Sequence, residues 1–314
     1  MSQVNSWVTI DCHYQFPQFA AAFLKTKSGK SVLIENNTSH AIPFLLDALI
    51  KSGGAPDQVD FLIVTHAHLD HAGATGQLMQ LFKNAQLIAH PKAARTLINP
   101  ERLVESAERV YGQSQFEQLY GQIAPVPAER TIAVQDGDAI QWQGETFQFF
   151  FTEGHASHHC CVAIPESGEV FTGDAFGLCY PSISGKAPFH FPSTSPVDFD
   201  HAKAVMSIDK ILSTQSRGAF LTHFGWVQDL TERGQLLKQH LDFHQELIEK
   251  SEVQQVEDEQ LESWMLRELQ QYFEDQLDRC GVQKSQQVLD ILKMDIHLNA
   301  AGLTIVARKR RKSR

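Results

Sequence analysis

Between residues 19 and 222 the chain reads as short apolar runs divided by turn residues, alternating with stretches of helical spacing. Phe19 to Thr26 and Ser31 to Glu35 have strand character, and Lys27-Ser-Gly-Lys30 between them is a turn signal, which predicts a hairpin. Ile42 to Lys51 carries apolar residues at helical spacing and stops at Gly53-Gly54. Val59-Asp-Phe-Leu-Ile-Val-Thr65 is a β-branched run that reads as a buried strand. A helix near Thr75 to Phe82 and a short strand, Gln86 to Ala89, follow, and residues 91 to 122 are mostly helical. Successive strands are then expected at Thr131–Val134, Ala139–Trp142, Thr146–Thr152, Cys160–Ile164 and Glu169–Thr172, with turns at Asp136-Gly137 and Ser167-Gly168. Residues 176 to 197 break the rhythm with four prolines, two glycines and several aromatics. An irregular segment of that length has either a functional role or no fixed order. A helix, Phe199 to Ser213, and a strand, Gly218 to Thr222, close this part.

Past Gly225 the pattern changes. Residues 229 to 279 are rich in Gln, Glu and Leu; Leu230, Leu236, Leu237 and Leu241 form one stripe and Leu261, Met265, Leu269 and Phe273 another. These predict two helices split near Val256, an appended helical hairpin. Residues 285 to 307 read as a short helix, then strand-like stretches between Met294 and Val306 around Asn299-Ala-Ala-Gly302. The run Arg308-Lys-Arg-Arg-Lys-Ser-Arg314 reads as a solvated, disordered basic tail.

The chain has 314 residues, 42% of them hydrophobic, enough to bury one large core with an appendage. The formal charge of −10 argues against any global attraction to nucleic acid or anionic membranes. The start, Met-Ser-Gln-Val-Asn-Ser-Trp, lacks a basic segment followed by an apolar one, so no secretory signal is expected. No uncharged apolar run reaches the ~18 residues of a membrane span. Five cysteines without framework spacing suit reduced thiols in a cytoplasmic setting, with Cys160 and Cys161 pointing to opposite faces of a strand.

Histidine, at 15 residues, is unusually frequent, and its placement carries the chemistry. Directly after the strand ending at Thr65 comes His66-Ala-His68-Leu-Asp70-His71, four metal-binding side chains within six positions. Buried polar groups need partners, and a metal ion supplies one to all four. Three single residues likewise follow apolar runs: His155 after Phe149-Phe-Phe-Thr-Glu-Gly154, Asp174 after Val170-Phe-Thr-Gly173, and His223 after Ala219-Phe-Leu-Thr222. Strand ends on one edge of a layered α/β fold converge on its site.

Taken in order, His66-Ala-His68-Leu-Asp70-His71, Gly154-His155, Thr172-Gly173-Asp174 and Thr222-His223 resemble the metallo-β-lactamase-fold superfamily. The resemblance implies a four-layer αββα sandwich over residues 1–228 as the catalytic domain. A helical extension with a short terminal strand segment would span 229–307, and a basic tail 308–314. It implies that His66, His68 and His155 hold one divalent ion, that Asp70, His71 and His223 hold a second, and that Asp174 bridges them. The ions would be zinc first, with iron or manganese as alternatives. Two such ions lower the pKa of a shared water toward neutrality and yield hydroxide, with Asp70 steering its proton.

Other positions carry weaker signals. In Gly154-His-Ala-Ser-His-His159, His158 replaces the glycine of the family's stretch, and His159 is a candidate for orienting a ligand or for the surface. Glu35, in Leu33-Ile-Glu-Asn-Asn37, stands where many members carry Asp, which leaves a role for its carboxylate in question. Tyr180, Phe189 and His190 are candidates for substrate contact, on the reading that 176–197 is a lid. The expected activity is hydrolysis of a small ester, thioester or lactone. Phosphodiester hydrolysis and di-iron redox chemistry are the rivals. A helical segment beyond the last ligand is similar to glyoxalase II. The expected partner is a small-molecule substrate, with neither nucleic acid nor membrane.

Overall fold

The computed structural model describes residues 6–194 and 198–312. The start of the stretch read for a secretory signal, part of the irregular segment and the end of the basic tail lie outside the described residues. The chain forms two compact units that interleave in sequence. The first runs to Phe151 and adds His158–Gly173 and Ser216–Val227. The second takes Thr152–Ser157, Asp174–Gln215 and the chain from Gln228 on.

The first unit holds two six-stranded sheets. One is built in chain order from β1 (Val8–Asp11), β2 (Ala21–Lys27), β3 (Lys30–Ile34), β4 (Val59–Ile63), β5 (Gln86–Ala89) and β6 (Thr131–Ala133). Its first three strands pair antiparallel and the rest parallel. The other contains β7 (Ala139–Trp142), β8 (Glu145–Phe151), β9 (Cys160–Ile164), β10 (Glu169–Gly173), β11 (Gly218–Leu221) and β12 (Gly225–Val227). In this sheet only β10 and β11 run parallel. The expected strands are present. β1 and β12, short strands at the outer edges of their sheets, were not foreseen.

Side-chain alternation divides the first sheet between two cores. Phe23, Val32, Ile34, Ile63 and Ile88 meet Phe147, Phe149, Val162, Phe171 and Phe220 of the second sheet. Leu24, Leu33, Leu62 and Leu87 face the other way, onto helices α1 (Ile42–Lys51), α3 (Thr75–Leu81) and α4 (Pro91–Ile98). With both faces buried, β4 and β5 read as continuous apolar runs rather than alternating ones. Lys25 lies in the inter-sheet row of β2 and is nonetheless buried, because its Nζ donates to both carboxylate oxygens of Glu145 at 2.7 and 2.6 Å. Cys160 enters the inter-sheet core whereas Cys161 belongs to the opposite face, as the strand period requires. Between β4 and α3 the short helix α2 (Leu69–Ala72) occupies the His-rich loop. Between α4 and β6 the chain forms α5 (Glu101–Tyr111) and α6 (Gln113–Tyr120).

The second unit carries α7 (His201–Ser213), α8 (Leu230–Val253), α9 (Leu261–Cys280) and α10 (Gln286–Lys312). Asp200 caps α7 by accepting the Lys203 N–H. The split of α8 from α9 falls where the stripes predicted it. The terminal strand does not form: Met294 to Val306 lies within α10. The β-branched run Thr304-Ile-Val306 has strand propensity, but Asn299, Ala300, Leu303 and Ala307 are buried at helical spacing, and packing along that face overrides it. The basic run is not a disordered tail either, for the helix continues through Lys312. Arg311 donates to the carbonyls of Ser251 and Val256 and to Asp258, and Arg308 donates to the Asp258 carbonyl. These acceptors lie at and beyond the carboxy-terminal end of α8, where a helix leaves unpaired carbonyls and partial negative charge. Among the described residues no helix is long and apolar enough to cross a membrane.

Candidate metal centre

The ligand loop of the first unit is held where the two sheets come together. Just beyond β4 the Thr65 carbonyl accepts the N–H of Cys160, the first residue of β9, at 2.8 Å. The Thr222 carbonyl, just beyond β11, accepts the N–H of Ala21, the first residue of β2, at 2.8 Å. The segments carrying His66 and His223 are thereby tied across the sandwich. His68 ends its extended stretch as α2 starts, so Asp70 and His71 fall in one helical turn.

Asp70, His71 and His223 form a compact group whose ligand atoms lie within 4.8 Å of one another. Second partners fix the ring protons. His71 Nδ1–H donates to Glu35 Oε2 at 2.5 Å, and His223 Nδ1–H donates to the Phe19 carbonyl at 2.8 Å. That leaves the lone pair of each ring on Nε2. Both Nε2 atoms point toward Asp70 Oδ2, at 3.8 Å from His71 and 3.5 Å from His223. Two lone pairs and a carboxylate oxygen brought this close repel one another unless a cation sits among them. The donor set therefore fits a divalent ion bound by imidazole and carboxylate.

His66 and His68 form a second convergence in the same unit. His66 Nδ1 bonds the Thr65 hydroxyl at 3.0 Å, and its Nε2 faces His68 Nδ1 at 2.9 Å. His159 is fully buried with its ring 4.9 Å from that of His66, so it belongs to the site's interior and not to the surface. The tight approach requires glycine at 173: its φ is +48°, and a Cβ there would lie 2.4 Å from Thr65 Oγ1 and 2.6 Å from His159 Nε2.

The two remaining predicted ligands belong to the second unit. His155 follows Gly154, whose φ of +118° and approach to the Ala204 backbone leave no room for a side chain. His155 Nε2 lies 3.4 Å from Asp174 Oδ2, both residues are buried, and His155 Nδ1 faces the Ser193 carbonyl at 3.3 Å.

Three of the expected substrate residues occupy the second unit's own packing. Tyr180 is buried with its hydroxyl on Asp295 at 3.4 Å, and Phe189 packs on Phe273 of α9. His190 donates from Nε2 to the Phe176 carbonyl at 2.7 Å and faces Arg233 through Nδ1. Burial first, and then the Arg233 charge, push its pKa down to about 3, so this ring is neutral at physiological pH. The 176–194 segment is thus a cover whose aromatic residues are spent on α9 and α10, because those helices offer the apolar surface. It does not present these three side chains as a lid.

Glu35 has the role that its departure from Asp put in question. Its carboxylate accepts both His71 Nδ1–H and the Thr65 N–H, the latter at 2.7 Å. The neighbouring loop adds three grips that sequence reasoning missed. The Asn36 and Asn37 N–H groups donate to the His71 carbonyl, and Asn37 Nδ2 donates to the Asp70 carbonyl. The available signal was a polar triplet straight after an apolar strand, the same signature that marks the ligands themselves.

Known proteins share the fold of this chain. Metallo-beta-lactamase fold-containing protein ST1585 of Sulfurisphaera tokodaii is 24% identical over 246 residues, covering 76% of this chain and 83% of that protein. Its crystal structure superposes with a TM-score of 0.65 at 22% identity, over 96% of this chain and 98% of that one. An atrochrysone carboxyl ACP thioesterase of Aspergillus fumigatus and a hydroxyacylglutathione hydrolase of Aeromonas hydrophila are each 26% identical over 117 residues, 37% of this chain. Those matches span 27% and 33% of the two enzymes. The family description "Metallo-beta-lactamase superfamily" matches residues 25–214, more than half of the sequence, and the chain belongs to that superfamily.

Proposed function

We propose that the chain is a metal-dependent hydrolase that cleaves a small ester, thioester or lactone. The observation that carries this reading is the convergence of His71 Nε2, His223 Nε2 and Asp70 Oδ2, each ring proton being held on the far side by Glu35 or Phe19. Relatives named as a thioesterase and as a hydroxyacylglutathione hydrolase support a thioester or ester substrate. In this proposal Asp70, His71 and His223 hold one divalent ion. His66, His68 and His155 would hold a second, with Asp174 as a ligand common to both, as the order of the sequence motifs implies. Zinc suits this imidazole and carboxylate set, and the same donors accept iron or manganese.

When bound, two such ions supply Lewis acidity and a water whose pKa falls toward neutrality. The chain's own residues do the rest. Glu35 keeps His71 in the tautomer that offers Nε2, and the Phe19 carbonyl does so for His223. Asp70 is the one member of its group with solvent access, 27% exposed against 0% and 3% for the two rings. The oxygen of its carboxylate that is not turned to the two rings is therefore the atom suited to hold a proton given up by a water bound there.

Metal analysis with a substrate panel tests the reading. Two zinc ions per chain and turnover of thioesters, esters or lactones are expected, with bis-aryl phosphates left intact. Asp70→Ala should lose one metal equivalent together with turnover. Both metals bound and no substrate of any class cleaved would overturn the proposal. Two iron ions with a visible absorption band would redirect it to redox chemistry.

A further inference from the structure

His158 stands where the superfamily's sequence pattern has glycine, and the structure gives the imidazole a definite task. The segments around Thr65 and Cys160 run side by side, joined first by Cys160 N–H to the Thr65 carbonyl at 2.8 Å. Two residues further along the ligand loop, the Ala67 N–H donates to His158 Nδ1 at 3.3 Å. A side-chain nitrogen thus supplies the second rung, where a strand would use a carbonyl. Ala67 is buried and sits between His66 and His68. The His158 ring also lies near both imidazoles, 6.0 Å from His66 with planes 21° apart and 5.5 Å from His68 edge-on. Glycine offers no acceptor there, so a chain with the family's residue must satisfy the Ala67 amide by other means.

We propose that His158 is a positioning residue that locks the His66-Ala67-His68 turn, so that His66 Nε2 and His68 Nδ1 converge on a metal ion. The lock is a matter of the first unit's geometry; the purpose assigned to it rests on the metal-hydrolase reading above.

The test uses His158→Gly, His158→Asn and His158→Ala in the full chain. Asn places an oxygen acceptor near the position of Nδ1, whereas Gly and Ala place none. Amide hydrogen exchange at Ala67 is read in metal-free protein, and zinc affinity by chelator competition. In His158→Gly and His158→Ala, Ala67 should exchange faster and one of two zinc equivalents should bind about tenfold more weakly, the lower end for losing a group that orients ligands. His158→Asn should restore both. Unchanged exchange at Ala67, unchanged zinc affinity, or an Asn variant that behaves like Gly would overturn the assignment. Comparison of Ala with Gly separates lost bonding from added backbone freedom if the glycine variant folds poorly. A wild-type chain that takes up neither zinc nor iron nor manganese would overturn both this assignment and the metal-centre reading. Wild-type uptake with unaffected Gly and Ala variants would overturn this one alone.

Discussion

His244 is fully buried on α8, and neither ring nitrogen has a hydrogen-bond partner among the described residues. Burial, followed by the nearby His240 and His201, pushes its pKa from 6.5 down to about 3. Since the folded-state value is depressed, the unfolded chain binds the proton more readily between these two values. The stability contribution is therefore complete above about pH 6.5 and is lost as pH falls toward 3. At pH 5 the chain is about 1.5 pH units below the unfolded value, which at about 1.4 kcal/mol per unit costs about 2 kcal/mol. His190, at about 3, and His240, at about 4, titrate in the same direction within the same unit. Together the three cost about 6 kcal/mol at pH 5, comparable with the whole stability of many domains. His244→Leu removes one of them and also removes two buried polar atoms. Urea unfolding of metal-free protein, followed by far-UV circular dichroism at pH 8 and pH 5, measures the effect. The wild type should lose about 2 kcal/mol more than the variant between these conditions. An equal loss in both proteins would refute the assignment of a neutral, unpaired imidazole at 244.

Other consequences concern the metal centre and the thiols. Glu35→Gln removes the carboxylate that holds His71 Nδ1–H, and zinc affinity by chelator competition should fall about 10- to 100-fold. Glu35→Asp retains the charge one methylene further back and should fall between the two. Gly173→Ala forces a Cβ against Thr65 and His159 at a positive φ, and should lower the unfolding free energy by about 1–3 kcal/mol in chemical denaturation. The Cys160 thiol is pushed up to about 12 by burial, and Cys12 is raised further by burial and by the Asp11 and Glu35 charges. Neither should react with a thiol reagent at pH 8 until the chain is unfolded, as peptide mapping of labelled protein would reveal.

The strand and helix positions of the first unit were legible because apolar periodicity is a local property. The ligand-type residues were legible because each is a polar group set directly after a buried run. Their order along the chain identified the superfamily before any geometry was known. What the tertiary structure decided were the matters that depend on a partner remote in sequence. The carboxylate of Glu35 meets His71 across 36 residues, and the His158 imidazole meets the Ala67 amide across 91. No local pattern encodes either meeting. The same cause explains the misread segments. Thr304-Ile-Val306 has strand propensity, yet the continuous buried face of α10 makes it helical. Tyr180 and Phe189 read as candidates for substrate contact on a lid, whereas α9 and α10 supply the apolar surface that buries them. Sequence by itself determined which chemical groups the chain carries and where its strands end. Only the folded chain decided which of those groups face one another, because proximity across the sandwich is set by packing and not by spacing.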